Sequence, residues 1–172
     1  MSEKIEIERK FLVEMPDFEK INIIKRIEIL QTYLHSNSDS QRRVRRITEN
    51  NNIRFFYTKK IFISPVIRNE NESEINAEKY NELLKDARND CPPISKTRVV
   101  FDYMEQQFEL DIYPFSEKSA ILELELENPS QEIHFPDYIN VIKEVSDDGR
   151  YSNAALSKAG GFPAEIFTEG DC

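Results

Sequence analysis

The sequence predicts an α+β domain: a closed or nearly closed barrel of about eight mostly antiparallel strands, with short helices at its periphery. Three observations lead there. β-Branched and aromatic residues alternate with polar ones in eight separate segments, the period-two pattern of strands with one dry and one wet face. Only three short stretches carry helical signals. No internal repeat and no long linker divides the 172 residues, a length that buries one core without covalent staples.

Strands are expected at 4–13, 27–35, 40–48, 53–62, 67–75, 94–104, 107–113 and 119–127. Asn50-Asn51-Asn52 reads as the turn between the third and fourth, because asparagine tolerates the left-handed backbone. A short helix is expected near 18–24, after Pro16. Ala77, Tyr80, Leu83, Leu84 and Ala87 recur at helical spacing, and Cys91-Pro92-Pro93 ends that run. A last helix starts at Tyr151-Ser152-Asn153, buries Ala154, Ala155 and Leu156, and stops at Gly160-Gly161. A single domain is therefore expected over 1–161, with 162–172 as a loose tail.

Hydrophobic residues make up 39% and charged ones 32%, which suits a folded domain with an unusually large charged surface, outside or inside. No apolar run approaches the roughly 18–20 residues that span a bilayer, and no signal-peptide pattern opens the chain. A soluble, cytoplasmic protein without a membrane partner is expected. The formal net charge of −9 speaks against nucleic acid as a partner, since a nonspecific binder needs a basic surface. Cys91 and Cys172 form no metal or redox motif, and His35 and His134 have no zinc-site spacing. The four glycines, at 149, 160, 161 and 170, leave no phosphate-binding glycine loop. Any phosphate must be held by side chains.

Glu6, Glu8 and Lys10 project from one face of the first strand, with neighbours roughly 6.5–7 Å apart. On one strand this is an ordinary wet face. It recurs, however: Arg43 with Arg45, Thr58 with Lys60, Glu70 with Glu72 and Glu74, Lys96 with Arg98, Glu109 with Asp111, and Glu123 with Glu125 and Glu127. Like charges stacked on one strand repel unless something bridges them. A barrel that turns these faces inward encloses carboxylates able to hold a divalent metal and cations able to hold phosphate oxygens. Alternation does not choose between Glu123 and Glu127, nor between Glu74 and its neighbours Glu70 and Glu72.

The ordered motifs resemble the CYTH superfamily, the triphosphate tunnel metalloenzymes. Glu6-Ile7-Glu8-Arg9-Lys10-Phe11-Leu12-Val13 is similar to the family's opening signature. It is followed in order by Arg43-Val44-Arg45, Thr58-Lys59-Lys60, Arg68-Asn69-Glu70-Asn71-Glu72, Lys96-Thr97-Arg98, Glu109-Leu110-Asp111, Glu123-Leu124-Glu125 and Asp148-Gly149-Arg150. The resemblance implies an eight-stranded antiparallel tunnel that acts on triphosphate compounds with Mg²⁺ or Mn²⁺, as a monomer or homodimer. By the same resemblance Glu6, Glu8, Glu123 and Glu125 hold metal, while Lys10, Arg43, Arg45, Lys60, Arg98 and Arg150 grip phosphate. Lys96 is the candidate general acid or leaving-group stabiliser. Glu70, Glu72 and Asp111 are supporting residues that orient water or pair with the arginines, and Asp148 positions Arg150. The expected reaction is hydrolysis of inorganic triphosphate to diphosphate and phosphate. A class IV adenylate cyclase, a thiamine triphosphatase and a noncatalytic polyphosphate- or nucleotide-binding module are the alternatives.

Overall fold

A computed structural model describes residues 2–164. The remainder of the expected tail, Cys172 included, lies outside the described residues. Nine strands form one sheet: β1 (Ser2–Glu14), β2 (Ile23–Leu34), β3 (Ser40–Glu49), β4 (Asn52–Phe62), β5 (Ile67–Ile75), β6 (Ile94–Tyr103), β7 (Gln106–Ile112), β8 (Ser119–Glu125) and β9 (Val141–Glu144). The order β5-β4-β3-β2-β6-β7-β8-β1 closes through a β1–β5 pairing, so eight antiparallel strands make a barrel and β9 adds to it along β1. The length of β1 makes closure work. Its first half, Ser2 to Ile7, pairs with β5, and its second half, Glu8 to Glu14, pairs with β8.

Local chemistry accounts for the connections. Asn50 and Asn51 both have positive φ, 49° and 66°, the two-residue turn whose twist matches a hairpin. Met104 and Glu105 make the same kind of turn at 47° and 62° without a residue suited to it, so the β6–β7 hairpin carries local strain. Helix α1 (Ala77–Leu83) is capped by Asn76, whose side chain accepts from the Lys79 N–H. Helix α2 (Asn153–Ala159) is capped by Ser152 and ends on Gly160 at φ 71°.

Three expectations change. The helix near 18–24 is a single 3-10 turn, Phe18–Lys20, and β2 already runs from Ile23. The β-branched residues Ile21, Ile23, Ile24, Ile27 and Ile29 favour extended chain, and Asp17 caps only one turn. Strand β9 was not expected. Phe162, at the start of the expected tail, packs edge-on against Tyr113 and Phe115.

The apolar outer face is covered in two ways. Tyr80 of α1 packs with Leu34 and Val44. The larger patch, with Phe11, Phe101, Phe108, Leu122 and Leu124, lies under the irregular segment 126–140, which contributes Phe135, Tyr138 and Ile139. Full burial of such a side chain stabilises by about 1.5–3 kcal/mol. Helix α2 covers no outer face. Its Leu156, together with Tyr151, packs against inward-facing Leu12, Tyr33, Ile94 and Ile121 and against Tyr113 just past β7. Leu12, Ile94, Tyr113 and Ile121 are the apolar neighbours, two residues along each strand, of Lys10, Lys96, Asp111 and Glu123. The inner row therefore changes from charged to apolar, and α2 seals that side of the chamber.

Candidate active site

The charged inner positions enclose a cavity of about 210 Å³. Its lining includes eight cations, Lys4, Lys10, Arg43, Arg45, Lys60, Arg68, Lys96 and Arg98. Seven carboxylates, Glu6, Glu8, Glu70, Glu72, Glu109, Glu123 and Glu125, face them. Tyr33, Gln41, Phe62, Ser152 and Asn153 complete the wall.

Antiparallel register brings unlike charges together. Lys10 stands opposite Glu123, Lys60 opposite Glu70, and Arg98 opposite Asp111. Lys60 lies 3.2 Å from Glu6 and 3.4 Å from Glu70. Arg45 and Thr58 both donate to Glu72, at 2.8 and 2.9 Å. Asp111, fully buried, accepts from Lys96 at 2.7 Å and from two nitrogens of Arg98 at 2.7 and 2.9 Å. The remaining nitrogen of Arg98 meets Glu109, so each of its three nitrogens already has a carboxylate. Arg43 differs: it meets no carboxylate among the described residues, and its Nε and that of Arg45 are buried without a hydrogen-bond partner. Unpaired buried donors are costly, and an anion in the chamber would satisfy both.

Burial and neighbours shift these groups apart. Burial pushes the Glu8 carboxyl up to about 7, with Glu123 and Glu6 adding repulsion against the pull of Lys60 and Lys10. Burial also acts on Glu123, but Lys10, Arg98 and Lys96 hold its carboxyl well below the usual range. Burial lowers Lys96 to about 8; Asp111 opposes the shift and Arg98 adds to it. Lys60 falls to about 8, again through burial first and then Arg43.

The structure thus gathers Glu6, Glu8, Lys10, Arg43, Arg45, Lys60, Glu70, Glu72, Lys96, Arg98, Glu123 and Glu125 around one space, with Asp111 buried behind the two cations it holds. It also chooses between the competing glutamates. Glu127 lies past the end of β8, and Glu74 is exposed on Arg54. Arg150 is not brought in. Asp148 accepts from its backbone N–H and from its guanidinium, so the side chain folds back on its own turn and is 62% exposed. Asp148 holds Arg150 on its own turn, outside the chamber lining and not at the phosphate-gripping position expected of it. Six lining residues were missed: Lys4, Gln41, Phe62, Arg68, Ser152 and Asn153. Arg68 and Lys4 precede Glu70 and Glu6 by two positions, so alternation alone could have found them. Ser152 and Asn153 carried no such signal, because only the docking of α2 brings them in.

No three described His, Cys, Asp or Glu side chains converge as a ready-made metal cage. The chemistry of the donors nevertheless fits a hard divalent cation: Glu6, Glu8, Glu123 and Glu125 offer oxygen alone. Burial is the chief reason the Glu8 carboxyl is pushed up, and Glu123 and Glu6 on either side add repulsion that a cation among them would relieve.

Two solved structures of the protein NE1496, one described as an inorganic triphosphatase, are each 26% identical to this chain with TM-scores of 0.55. The triphosphatase structure aligns 89% of this chain with 94% of its own. These likenesses are consistent with the CYTH, or triphosphate tunnel, superfamily that the ordered motifs resemble. PH1819 from Pyrococcus horikoshii shares the fold at 21% identity and a TM-score of 0.56, over 72% of this chain and 79% of its own. An adenylate cyclase candidate from Bacillus halodurans shares it at 17% and 0.54, over 75% and 84%. No family model and no curated protein matches the sequence. Among the described residues, no helix is long and apolar enough to cross a membrane.

Proposed function

We propose that the chamber binds inorganic triphosphate with Mg²⁺ or Mn²⁺ and hydrolyses it to diphosphate and phosphate. The observation that carries this reading is the lining: eight cations and seven carboxylates around about 210 Å³. That space is below the ~300 Å³ at which pockets for drug-sized organic ligands begin. Tyr33 and Phe62 are the aromatic rings among the lining residues, so little is offered to a base or a thiazole. The likeness to an inorganic triphosphatase at 26% identity supports the same choice.

Glu6, Glu8, Glu123 and Glu125 would hold the divalent cation, which would supply charge neutralisation and a more acidic attacking water. Phosphoryl transfer needs little covalent help from the protein; positioning and charge suffice. Arg43 and Arg45 carry the buried N–H groups without partners and would take the phosphate oxygens, together with Lys10 and Lys60. Arg98, with carboxylates on every nitrogen, acts as a fixed positive charge. Lys96, held by Asp111 and with its ammonium brought down to about 8, would neutralise or protonate the departing diphosphate near working pH.

The test is phosphate release from inorganic triphosphate, ATP, thiamine triphosphate and diphosphate with either metal, with cyclic AMP assayed in parallel. Inorganic triphosphate should be cleaved fastest. Conversion of ATP to cyclic AMP at a comparable or higher rate would replace this reading with the cyclase.

A further inference from the structure

Each carboxylate assigned above to the divalent cation is already held by a cation of the chamber itself. Glu6 meets Lys60 at 3.2 Å, Glu8 meets Arg68 at 3.3 Å, Glu123 meets Lys10 at 3.5 Å, and Glu125 meets Lys4 at 3.0 Å. The first three pairs are largely buried, with side-chain exposures of 16% or less, while the fourth is half exposed. Neither ligand can therefore enter without separating protein ion pairs. A metal taking Glu6 and Glu8 leaves Arg68 without the two carboxylates it meets, and Lys60 with Glu70 alone. A polyanion drawing those two cations away leaves the carboxylates unpaired. Stranding half of a buried pair is strongly unfavourable. When both ligands enter, each stranded half meets the opposite ligand.

We propose that the chamber takes up divalent cation and polyphosphate by exchange of ion-pair partners, with Arg68 as a further phosphate-holding side chain released from Glu8 when the cation binds. The inference rests on the triphosphate reading and adds to it a coupling between the two ligands. Coupling of this kind is reciprocal: whatever factor the metal adds to polyanion affinity, the polyanion adds to metal affinity. Arg68 suits the role because its guanidinium also lies 5.9 Å from the Phe62 ring, which lines the same wall. The ring gives the released side chain an apolar surface to rest on.

The exchange makes an unusual prediction about single ligands. Removing the charge of a proposed metal ligand should tighten the metal-free binding of triphosphate, because the cation it held becomes available. Calorimetry in chelator should show Glu8→Gln binding triphosphate about tenfold more tightly than the unmodified protein, the scale of one charge-assisted hydrogen bond. Removing the protein cation should do the converse: Arg68→Gln should bind Mn²⁺ alone about tenfold more tightly. A double-mutant cycle separates exchange from a general change of field. The triphosphate gain of Glu8→Gln should vanish in the Arg68→Gln background. If the gain persists there at full size, or never occurs, the exchange is wrong. Should Glu8→Gln fail to fold, Glu123→Gln with Lys10→Gln repeats the cycle. If the unmodified protein binds triphosphate equally well with chelator and with Ca²⁺, the exchange falls while the triphosphate reading stands. If triphosphate binds under neither condition in any variant, the substrate reading itself is overturned.

Discussion

Asp111→Asn is the most informative single substitution in the barrel. Asp111 is fully buried and is the carboxylate that holds both Lys96 and Arg98, at 2.7 to 2.9 Å. Asparagine keeps the shape and removes the charge. Breaking a buried pair by removing one partner costs about 3–5 kcal/mol. In a domain of this size each kcal/mol lowers Tm by about 2–4 °C, so the loss corresponds to a fall of about 6–20 °C. The substitution also reaches the chemistry. Burial already brings the Lys96 ammonium down to about 8, and Asp111 is the chief influence raising it. Without that carboxylate the lysine loses its proton at lower pH. If protonated Lys96 assists the leaving group, activity falls as pH rises through its pKa. In Asp111→Asn that alkaline limb should move to lower pH. Thermal melts by circular dichroism and a pH–rate profile read the two effects separately. A melt within about 3 °C of the unmodified protein would refute the buried-pair argument, and an unmoved alkaline limb would remove Lys96 from the reaction.

Further outcomes follow from the same geometry. Glu8→Gln should abolish metal-dependent turnover and flatten the pH dependence of stability between about pH 5 and about pH 8.5. In the unmodified protein the Glu8 carboxyl, pushed up to about 7 chiefly by burial, is protonated in the fold at the lower pH and charged at the higher, so it makes stability fall across that interval. Denaturant titrations at the two pH values should therefore differ less in the variant. Arg43→Ala should weaken triphosphate binding about ten- to a hundredfold, the loss of a charge-assisted contact of about 1.5–3 kcal/mol, whereas Arg150→Ala should change it by less than about threefold because Asp148 holds that side chain outside the chamber. Calorimetry on both decides the point. Replacing Met104 and Glu105 by Asn and Gly should raise stability by about 1 kcal/mol or more without altering turnover, since both have positive φ in a tight hairpin remote from the chamber lining.

Most of the chamber was legible because the inner face of a strand follows a strict period of two. Once Glu6, Glu8 and Lys10 were placed on one face, the matching rows on the other strands had to line the same space. Where strands end was not legible. β8 stops at Glu125, and the N–H of Leu126 turns to the Ile7 carbonyl where β1 changes partners from β8 to β5. That closure, which depends on distant residues, leaves Glu127 outside. Strand β9 has four residues, too few for a pattern to emerge. Helix α2 was readable from its cap and stop, but its amphipathic face does not say which surface receives it. The structure places it on the apolar end of the barrel interior, and Ser152 and Asn153 reach the chamber as a consequence. Arg150 was misplaced because a capping aspartate two residues earlier offered a nearer partner than the tunnel.

The central claim is that this charged chamber cleaves inorganic triphosphate with a divalent cation. Phosphorus NMR of triphosphate mixed with the protein and Mg²⁺ tests it most directly. The account predicts that diphosphate and phosphate appear in equal amounts, that excess chelator stops the conversion, and that Lys96→Ala slows it without releasing bound triphosphate. Intact triphosphate after prolonged incubation with either Mg²⁺ or Mn²⁺, in a protein shown to be folded, would contradict it.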